Sequence, residues 1–328
     1  LVHATGAHAG TVQGYQFYPA VICSHARTTY TQVWDMIQQP DGPTAHEFEV
    51  VKDQVLQLYE LYQLFAQQRV NRGAMDFDTV ETQIVCNELG KIERIVPLHR
   101  NHAHRLIEEF MLAANTCAAD FLTRNKRLGL YRVHESSTPE KLGQLREYLR
   151  GLGLTLGGGD TPSSLHFAEL LNKARARDDF EVIQTMIMRS MSQAIYTPDN
   201  SGHFGLAYDN YAHFTSPIRR YPDLLNHRVI KAALKRRKYT PKVDGIERHK
   251  GEPLKEYEHS VWDRLGIVLS AHERRADEAS YDVEAWLKCW YVREHIGEVF
   301  SGKVTGVTSF GLFITLDNLY VEGLVHIS

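Results

Sequence analysis

Apolar positions recur along this 328-residue chain with two different periods. A period of three to four residues predicts helices, which we expect over about 46–70, 102–124, 138–150, 164–176, 179–194, 223–238 and 255–293. An alternating period predicts strands, which we expect over 14–23, 130–135 and 200–214, with a hairpin over 76–98. This mixture predicts an α+β fold.

The helix over 102–124 has a broad apolar face and should be deeply packed. Glu108 and Asn115 lie on one border of that face, and Glu109 and Asp120 lie on the other. Carboxylates at such an edge are more often surface charges than functional groups. Trp34, in the segment Ser24–Trp34, is expected in the core.

The last 32 residues change character, because they are rich in glycine and β-branched residues and alternate with a period of two. They predict about three strands. We therefore divide the chain into a large domain over 1–294 and a small one over 295–328.

The composition is that of an ordinary globular protein, with 43% hydrophobic and 23% charged residues. No apolar run approaches about 20 residues, so no membrane-spanning helix is predicted, and the first ten residues do not resemble a signal peptide. The four cysteines form no CxxC pair, which favours buried thiols in a reducing cytoplasm over disulfides or zinc. With a net charge of −3, any nucleic-acid site must be a local basic groove.

The basic stretch that begins at Ser216 is the strongest candidate for such a site. Ser216-Pro217 predicts a helix start, with Arg219 and Arg220 in its first turn facing an anion. Eight Lys or Arg and a single acid lie between Arg219 and Lys238. A solvated basic helix is the plainer interpretation, but the aromatic flanks favour phosphate binding. The stripe that follows consists of Arg228, Lys231 and Lys235.

Four segments, in the same order, resemble the RNase II/RNB family of 3′-to-5′ exoribonucleases. They are SHARTTYTQVW (24–34), RLIEEFMLAANTCAADFL (105–122), RSMSQAIYTPDNSGHFGLA (189–207) and YAHFTSPIRRYPDLLNHR (211–228). The resemblance implies a partial, mixed α/β RNB catalytic domain acting on single-stranded RNA, with nucleoside 5′-monophosphates as products.

The resemblance also implies roles for individual residues. Tyr30 contacts the 3′-terminal nucleotide, as does one of Glu108 and Glu109, and the sequence does not decide between these two. Arg219 stabilises charge on the scissile phosphate. His203 and His213 are candidates for polar contacts, although histidines satisfied by the backbone are at least as common.

The C-terminal segment resembles the opening of an S1-type OB-fold RNA-binding domain. Phe310, Phe313 and His326 would then stack on bases, and Lys303 could meet a phosphate. Barrel core is the alternative for the aromatic residues, with even odds for Phe313. An OB barrel has five strands, so this one would be truncated.

The family is implied to hydrolyse RNA with Mg²⁺ bound by a D-x₅-D-x-D-D cluster, but this chain lacks that pattern. Neither Asp76 with Asp78 nor Asp178 with Asp179 has its spacing. The chain alone is expected to be a monomer that binds RNA without cutting it, and an N-terminal segment could complete it. A non-catalytic RNA-binding module is the alternative, and a protein-interaction scaffold would show no salt-dependent RNA binding.

Overall fold

The computed structural model describes residues 2–8, 10–77 and 81–327, so Asp78 lies outside the described residues. The chain forms two compact units. The first unit comprises 1–76 and 100–270, and the second comprises 77–99 and 271–328. Both contain helix and strand, and the expected α+β fold class is confirmed.

Helices make up much of the first unit, and one long helix begins there and ends in the second unit. They are α1 (Tyr30–Gln38), α2 (Pro43–Glu47), α3 (Glu49–Asn71), α4 (His102–Arg124), α5 (Pro139–Gly151), α6 (Ser164–Ala174), α7 (Phe180–Ser190), α8 (Tyr221–Leu234) and α9 (Leu254–Val292). All the predicted helices are present, with ends shifted by a few residues. The helix expected over 46–70 is α3, with the short α2 before it.

Within the described residues, the strands form four small antiparallel sheets. They are β1 (Val2–His8) with β2 (Thr11–Phe17), β3 (Thr82–Cys86) with β4 (Ile92–Pro97), β5 (Tyr131–Val133) with β6 (Ile195–Thr197), and β7 (Gly302–Thr308), β8 (Gly311–Leu316) and β9 (Glu322–His326) in the order β7-β8-β9. The hairpin turn at Asn87–Gly90 and the three C-terminal strands are confirmed.

Two predicted strands are wrong. The strand expected over 14–23 ends at Phe17, because Pro19 follows and has no N–H to donate to a ladder. The stretch 200–214 is not a strand but a series of turns around a 3₁₀ helix at Phe204–Leu206. There the backbone of Ala207 is left-handed (φ 53°), which ends the short helix.

The core of the first unit lies where α4, β5, α8 and α9 meet. Its largest members are fully or almost fully buried and include Leu122, Leu130, Leu225, Val229 and Trp262. The expectation that Trp34 lies in the core is wrong, because its side chain is only half-buried. Its ring contacts those of Tyr59 and His102 instead of the core cluster. Met36, two residues further along α1, is the fully buried one.

The cysteine prediction is only partly correct. All four thiols are free, but Cys23, Cys86 and Cys289 are exposed. Cys23 follows a strand end, Cys86 lies at the hairpin turn, and Cys289 is near the end of a long helix. Only Cys117, on the packed face of α4, is buried.

In the second unit, the β3–β4 hairpin is joined to the end of α9 by polar contacts. The Thr82 hydroxyl donates to Glu284 at 2.8 Å, and the Tyr291 hydroxyl donates to the Glu93 carbonyl at 3.4 Å. Asn87 closes the hairpin, because its side-chain oxygen accepts from the N–H groups of Leu89 and Lys91. No helix in the described parts of the chain is both long and apolar enough to cross a membrane.

Candidate nucleic-acid interface

The Ser216–Arg220 segment is a turn and not the start of a helix, so this prediction is wrong. The N–H groups of Arg219 and Arg220 donate back to the Ser216 carbonyl, and Arg220 is then extended. A helix running on from Ser216 would need an N–H at Pro222, which proline lacks. Pro222 instead lies in the first turn of α8, which begins at Tyr221.

A buried asparagine on α4 holds the chain just before this turn. The Asn115 side-chain oxygen accepts from the N–H groups of Phe214 (2.9 Å) and Thr215 (3.2 Å). Its amide nitrogen donates to the Tyr211 hydroxyl at 3.0 Å. Asn115 therefore satisfies two backbone donors that no regular structure would pair.

Asp223 holds the turn from the other side. Its Oδ1 accepts from the Ser216 N–H at 2.7 Å and from the Arg220 guanidinium at 2.9 Å. The Asp223 side chain is 0% exposed, and that of Arg220 is 19% exposed. The single acid of this basic stretch is thus a buried structural group. Arg220 is committed in part to neutralising it.

Two further α8 side chains fix the approach to the turn. Asn226 donates to the carbonyls of His213 (3.0 Å) and Leu130 (2.9 Å) and accepts from the Leu130 N–H. His227 donates to the Phe214 carbonyl at 2.8 Å, and its ring stacks on the Phe214 ring at 3.9 Å between centroids. Asp223, Asn226 and His227 lie on one face of α8 because of their helical spacing. This face therefore hydrogen-bonds the backbone of the loop from His213 to Ser216.

This framework leaves Ile218 and Arg219 at the exposed tip of the turn. Within the described residues, no carboxylate lies within ion-pairing distance of the Arg219 guanidinium. The turn therefore presents an uncompensated, forked cation on a fixed backbone, which suits a phosphate oxygen.

The predicted basic stripe is present on α8. Arg228, Lys231 and Lys235 are all exposed, while Leu225 and Val229 on the opposite side are buried. The Arg228 guanidinium donates to the Tyr239 hydroxyl at 3.2 Å.

Tyr30 lies at the first position of α1, and its ring stacks on that of His104 on α4, with 3.9 Å between centroids. Asn101, the N-cap of α4, donates to the Tyr30 carbonyl at 3.4 Å. The Tyr30 side chain is still 45% exposed. One face of its ring is therefore covered, and an accessible aromatic surface remains.

Glu108 and Glu109 belong to a cluster of charges that the sequence did not predict. One Arg69 nitrogen, from α3, lies 2.8 Å from both carboxylates, and Arg100 contacts Glu108 at 2.6 Å. Burial opposes ionisation of Glu108, but the hydrogen bond and charge of Arg69, together with Arg100, hold its pKa below the usual value. The same carboxylates raise the pKa of Arg69 against the opposing effect of burial.

The two carboxylates differ in their surroundings. The Glu109 side chain is 5% exposed and lines a cavity of about 260 Å³ with Arg72 and Tyr208, whereas that of Glu108 is 28% exposed. The expectation of surface charges at both borders is therefore wrong for Glu109. Glu108 shares a face of α4 with His104 and Asn115, which lies two turns or about 10 Å further along.

His203 and His213 are buried structural groups. Burial, followed by the charges of nearby His and Arg side chains, lowers the pKa of His203 to about 3 and that of His213 to about 2. His203 accepts from the Leu206 N–H, and the Tyr196 hydroxyl lies 2.9 Å from His213 Nδ1. Both are neutral at ordinary pH.

In the second unit, the predicted aromatic group is assembled on the three-stranded sheet. Phe310, in the β7–β8 turn, has its ring centroid 6.4 Å from both Phe313 and His326, edge-on to the first and stacked with the second. Phe310 is 45% exposed and Phe313 is half-buried. Lys303 lies opposite Thr315 in the β7–β8 register.

The described residues do not form a binding site for the Mg²⁺ that the family resemblance implies. Over 2–8, 10–77 and 81–327, no group of three or more His, Cys, Asp or Glu side chains could hold a metal ion. The Glu108–Glu109 pair faces guanidinium groups, which repel a cation. Asp179 is engaged by Arg177 at 2.7 and 2.8 Å.

Sequence reasoning missed Arg69, Asp223, Asn226 and His227 as parts of this interface. Their spacing held a usable signal for α8, because polar residues at i, i+3 and i+4 on an otherwise apolar face indicate a buried polar contact. Arg69 gave no such signal, since its partners are 39 and 40 residues away.

Comparison with known proteins identifies the class. A family model described as the RNB domain matches residues 2–236, and one described as the S1 RNA binding domain matches residues 294–328. The chain belongs to the RNB-domain family and carries an S1 region. Its curated relatives at 36–45% identity are ribonuclease R proteins from several bacteria.

The ribonuclease R of Vibrio cholerae is 45% identical over 326 residues, which cover 99% of this chain and 39% of that protein. The Escherichia coli K12 protein is 44% identical over 328 residues, with the same two coverages. The chain thus spans well under half the length of these relatives.

Comparison with solved structures also finds ribonuclease R. Mycoplasma genitalium RNase R in complex with ribose-methylated single-stranded RNA has a TM-score of 0.84 at 27% identity, over 97% of this chain and 48% of that one. Yeast Ssd1, described as a pseudonuclease, has a TM-score of 0.67 at 17% identity over 97% of this chain and 37% of its own. The second likeness concerns the fold alone.

Proposed function

We propose that this chain is the RNA-holding part of a ribonuclease R-like 3′-to-5′ exoribonuclease, which hydrolyses single-stranded RNA processively to nucleoside 5′-monophosphates. The observation that carries the proposal is the Ser216–Arg220 turn in an RNB-family chain. Buried side chains from α4 and α8 fix this turn and leave Arg219 exposed and unpaired among the described residues.

Arg219 acts on the scissile phosphate in this proposal. A guanidinium held on a rigid backbone can stabilise developing negative charge without reorganising. Ser216 and Arg220 contribute at the edge of the same turn. The contribution of Arg220 to RNA is the smaller one, because it also neutralises buried Asp223.

Tyr30 and Glu108 bind the 3′-terminal nucleotide. The exposed side of the Tyr30 ring offers a stacking surface to any base. Of the two candidate carboxylates, Glu108 is the one with an accessible side chain, whereas Glu109 is enclosed with Arg69. We therefore assign the nucleotide contact to Glu108 and the orientation of Arg69 to Glu109.

The rest of the RNA is bound by charge and stacking. Arg228 and Lys231 on α8 would meet backbone phosphates, and so would Lys303 on the sheet. Phe310, Phe313 and His326 would stack on bases. We assign the RNB domain to 1–294 and the S1-type domain to 295–328, in a monomeric cytoplasmic protein.

The ligands of the Mg²⁺ ion that the family resemblance implies are not among the described residues. Mg²⁺, when bound in a family member, supplies an activated water, but the described residues do not fit it and we derive no step through it. The carboxylates that bind it would lie on a segment outside this chain, which would complement it. The 328-residue chain alone should therefore bind RNA and leave it intact.

This is tested by incubating the purified chain with 5′-labelled poly(A) and Mg²⁺ and resolving the products on a sequencing gel and the complexes on a native gel. We expect an intact substrate with a mobility shift that weakens as salt is raised. Laddering to a short end product would contradict the assignment of the metal ligands. An unshifted substrate at low salt would contradict RNA binding itself.

A non-catalytic RNA-binding module is the second candidate. It is equally compatible with the lack of a metal-binding group within the described residues. The two candidates differ in the reading frame upstream of this segment, which encodes an aspartate cluster in the first case and none in the second. Restored cleavage when that upstream segment is added would exclude the non-catalytic module.

A further inference from the structure

A second cavity of the first unit, with a volume of about 400 Å³, lies away from the Arg219 turn. It is lined by the last turn of α4, by Val229 of α8, by the loop Lys238–Thr240 and by the first turns of α9. Its volume is in the range of small-molecule sites, which begin at about 300 Å³.

The floor of this cavity is part of the core. Leu122, Tyr131, Val229 and Trp262 are buried members of the core cluster and also line the cavity. The Tyr239 ring lies on one side, with its centroid 6.5 Å from that of Trp262 in an edge-on arrangement. A flat ring entering the cavity would therefore meet aromatic and aliphatic surface.

Two lining residues each have a buried donor that finds no acceptor among the described residues. Trp262 is 0% exposed, and no hydrogen-bond partner lies near its Nε1. The buried Nε of Arg127 is also without a partner. Indole and guanidinium N–H groups can only donate, so neither group is satisfied by the described side chains around it, and the charge of Arg127 adds to that of the cavity rim.

The rim adds more donors of the same kind. Lys126, Lys238 and Lys255 are exposed, and no carboxylate of the described residues lies within ion-pairing distance of them. Glu258 is the one acid among the described residues of the lining, and it accepts from the Thr240 hydroxyl at 3.3 Å. Four cations thus surround a single, already engaged carboxylate.

We propose that this cavity binds the phosphate group of a nucleotide, with the base against the Tyr239–Trp262 floor and the phosphate held by Arg127 and the three lysines. A phosphate has enough acceptor oxygens for several donor-only groups at once. A base ring suits the apolar floor. The inference does not depend on the role proposed for Arg219, since the two sites share no residue.

The test follows the indole N–H resonance of Trp262 in a proton–nitrogen correlation spectrum, where Trp262→Phe assigns it among the four tryptophans. Titration with 5′-AMP should shift this resonance, and inorganic phosphate should shift it at higher concentration. Adenosine, which lacks the phosphate, should leave it in place. A resonance that 5′-AMP does not move, or that adenosine moves equally, would overturn the proposal.

The rim is tested with the double variant Lys238→Gln/Lys255→Gln. Both side chains are exposed, so the fold should be kept. We expect 5′-AMP to bind about tenfold more weakly. The matched control is Lys91→Gln/Lys173→Gln, which removes the same charge from exposed positions outside the cavity and should bind as the unchanged chain does. Equal affinity of the two double variants would contradict the site.

The phosphate could come from a free mononucleotide or from an RNA chain, and competition separates the sources. If a short oligoadenylate shifts the Trp262 resonance at a lower concentration than 5′-AMP, the site holds a nucleotide of bound RNA. If the oligoadenylate does not compete with 5′-AMP, the site takes the free mononucleotide. Either result supports a nucleotide-phosphate site.

Discussion

The Ser216–Arg220 turn and the β7–β9 sheet both carry candidate RNA-binding side chains, but they are supported in opposite ways. Asn115, Asp223 and Asn226 around the turn are almost completely buried, and each makes at least two hydrogen bonds. On the sheet, every residue of β9 is exposed. The turn is preorganised before RNA arrives, whereas the sheet offers surface.

This difference predicts where mutations act. Around the turn, a change to a buried supporting residue should lower both the free energy of unfolding and the affinity for RNA. On the sheet, a change to an exposed aromatic residue should cost binding alone. The predictions below test this contrast, beginning with the largest expected effect.

Asp223→Ala should lower the free energy of unfolding by about 3–5 kcal/mol, because it leaves the part-buried Arg220 without its partner and the Ser216 N–H without its acceptor. Urea denaturation followed by circular dichroism measures this. Asp223→Asn keeps one acceptor oxygen and should cost less. Asp263→Ala removes an exposed carboxylate from α9 and should have almost no effect. A loss no larger than that of Asp263→Ala would show that the turn does not depend on Asp223.

The turn should also respond to acid. The pKa values of His203 and His213 are about 3 and 2 in the folded state, far below their usual value of 6.5. The unfolded chain therefore binds these protons first, so stability should fall as the pH drops from about 6.5. Urea midpoints measured between pH 7 and pH 5 check this.

His213→Asn should reduce the slope of this pH dependence, since the contribution of His213 is removed while those of the other buried histidines remain. A midpoint that stays constant over this range would contradict the burial of both neutral rings. Glu108 acts in the same direction only at lower pH. Its depressed pKa gives stability that is lost as the pH falls below about 4.5.

The sequence predicted the helices well, because α4, α8 and α9 have apolar stripes that local periodicity reveals. It also predicted the aromatic group at Phe310, Phe313 and His326, since strand alternation and a turn bring these residues together. What it missed are contacts made by tertiary structure. The helix expected at Ser216 has good local signals, but Asn115 and Asp223 hold that segment as a turn.

The sequence shows which side chains carry charge, but it does not show which of them are buried or what they contact. Glu109 looked like a surface carboxylate at the edge of an apolar face, and it is buried because Arg69 reaches it from α3. No local pattern links positions 69 and 109. For Asp223, the polar spacing on α8 indicates burial but not the partner, because the Ser216 N–H comes from a loop whose path depends on Asn115.

On the sheet, Phe310→Ala should weaken RNA binding by about 1–3 kcal/mol, the value of one stacked base. The unfolding free energy should change little, because Phe310 is already half exposed. Fluorescence anisotropy with labelled oligoadenylate measures the first quantity and urea denaturation the second. The matched control is Tyr281→Ala, an exposed aromatic residue of the same unit that should leave affinity unchanged. Equal losses in both variants would mean that Phe310 stacks on no base.

Arg219→Gln should have the smallest effect on binding, because it removes one phosphate contact from a turn that otherwise keeps its shape. The hydrogen bonds of Asn115, Asp223 and Asn226 do not involve the Arg219 side chain, so the unfolding free energy should not change. Affinity should fall equally for different RNA sequences, and the slope of log K against log salt should decrease by about 0.7. Arg264→Gln, which removes an exposed cation from α9, should leave that slope as it is. If Arg219→Gln also lowered stability, the turn would need its cation for folding, and the contrast between a prebuilt turn and an adaptable sheet would fail.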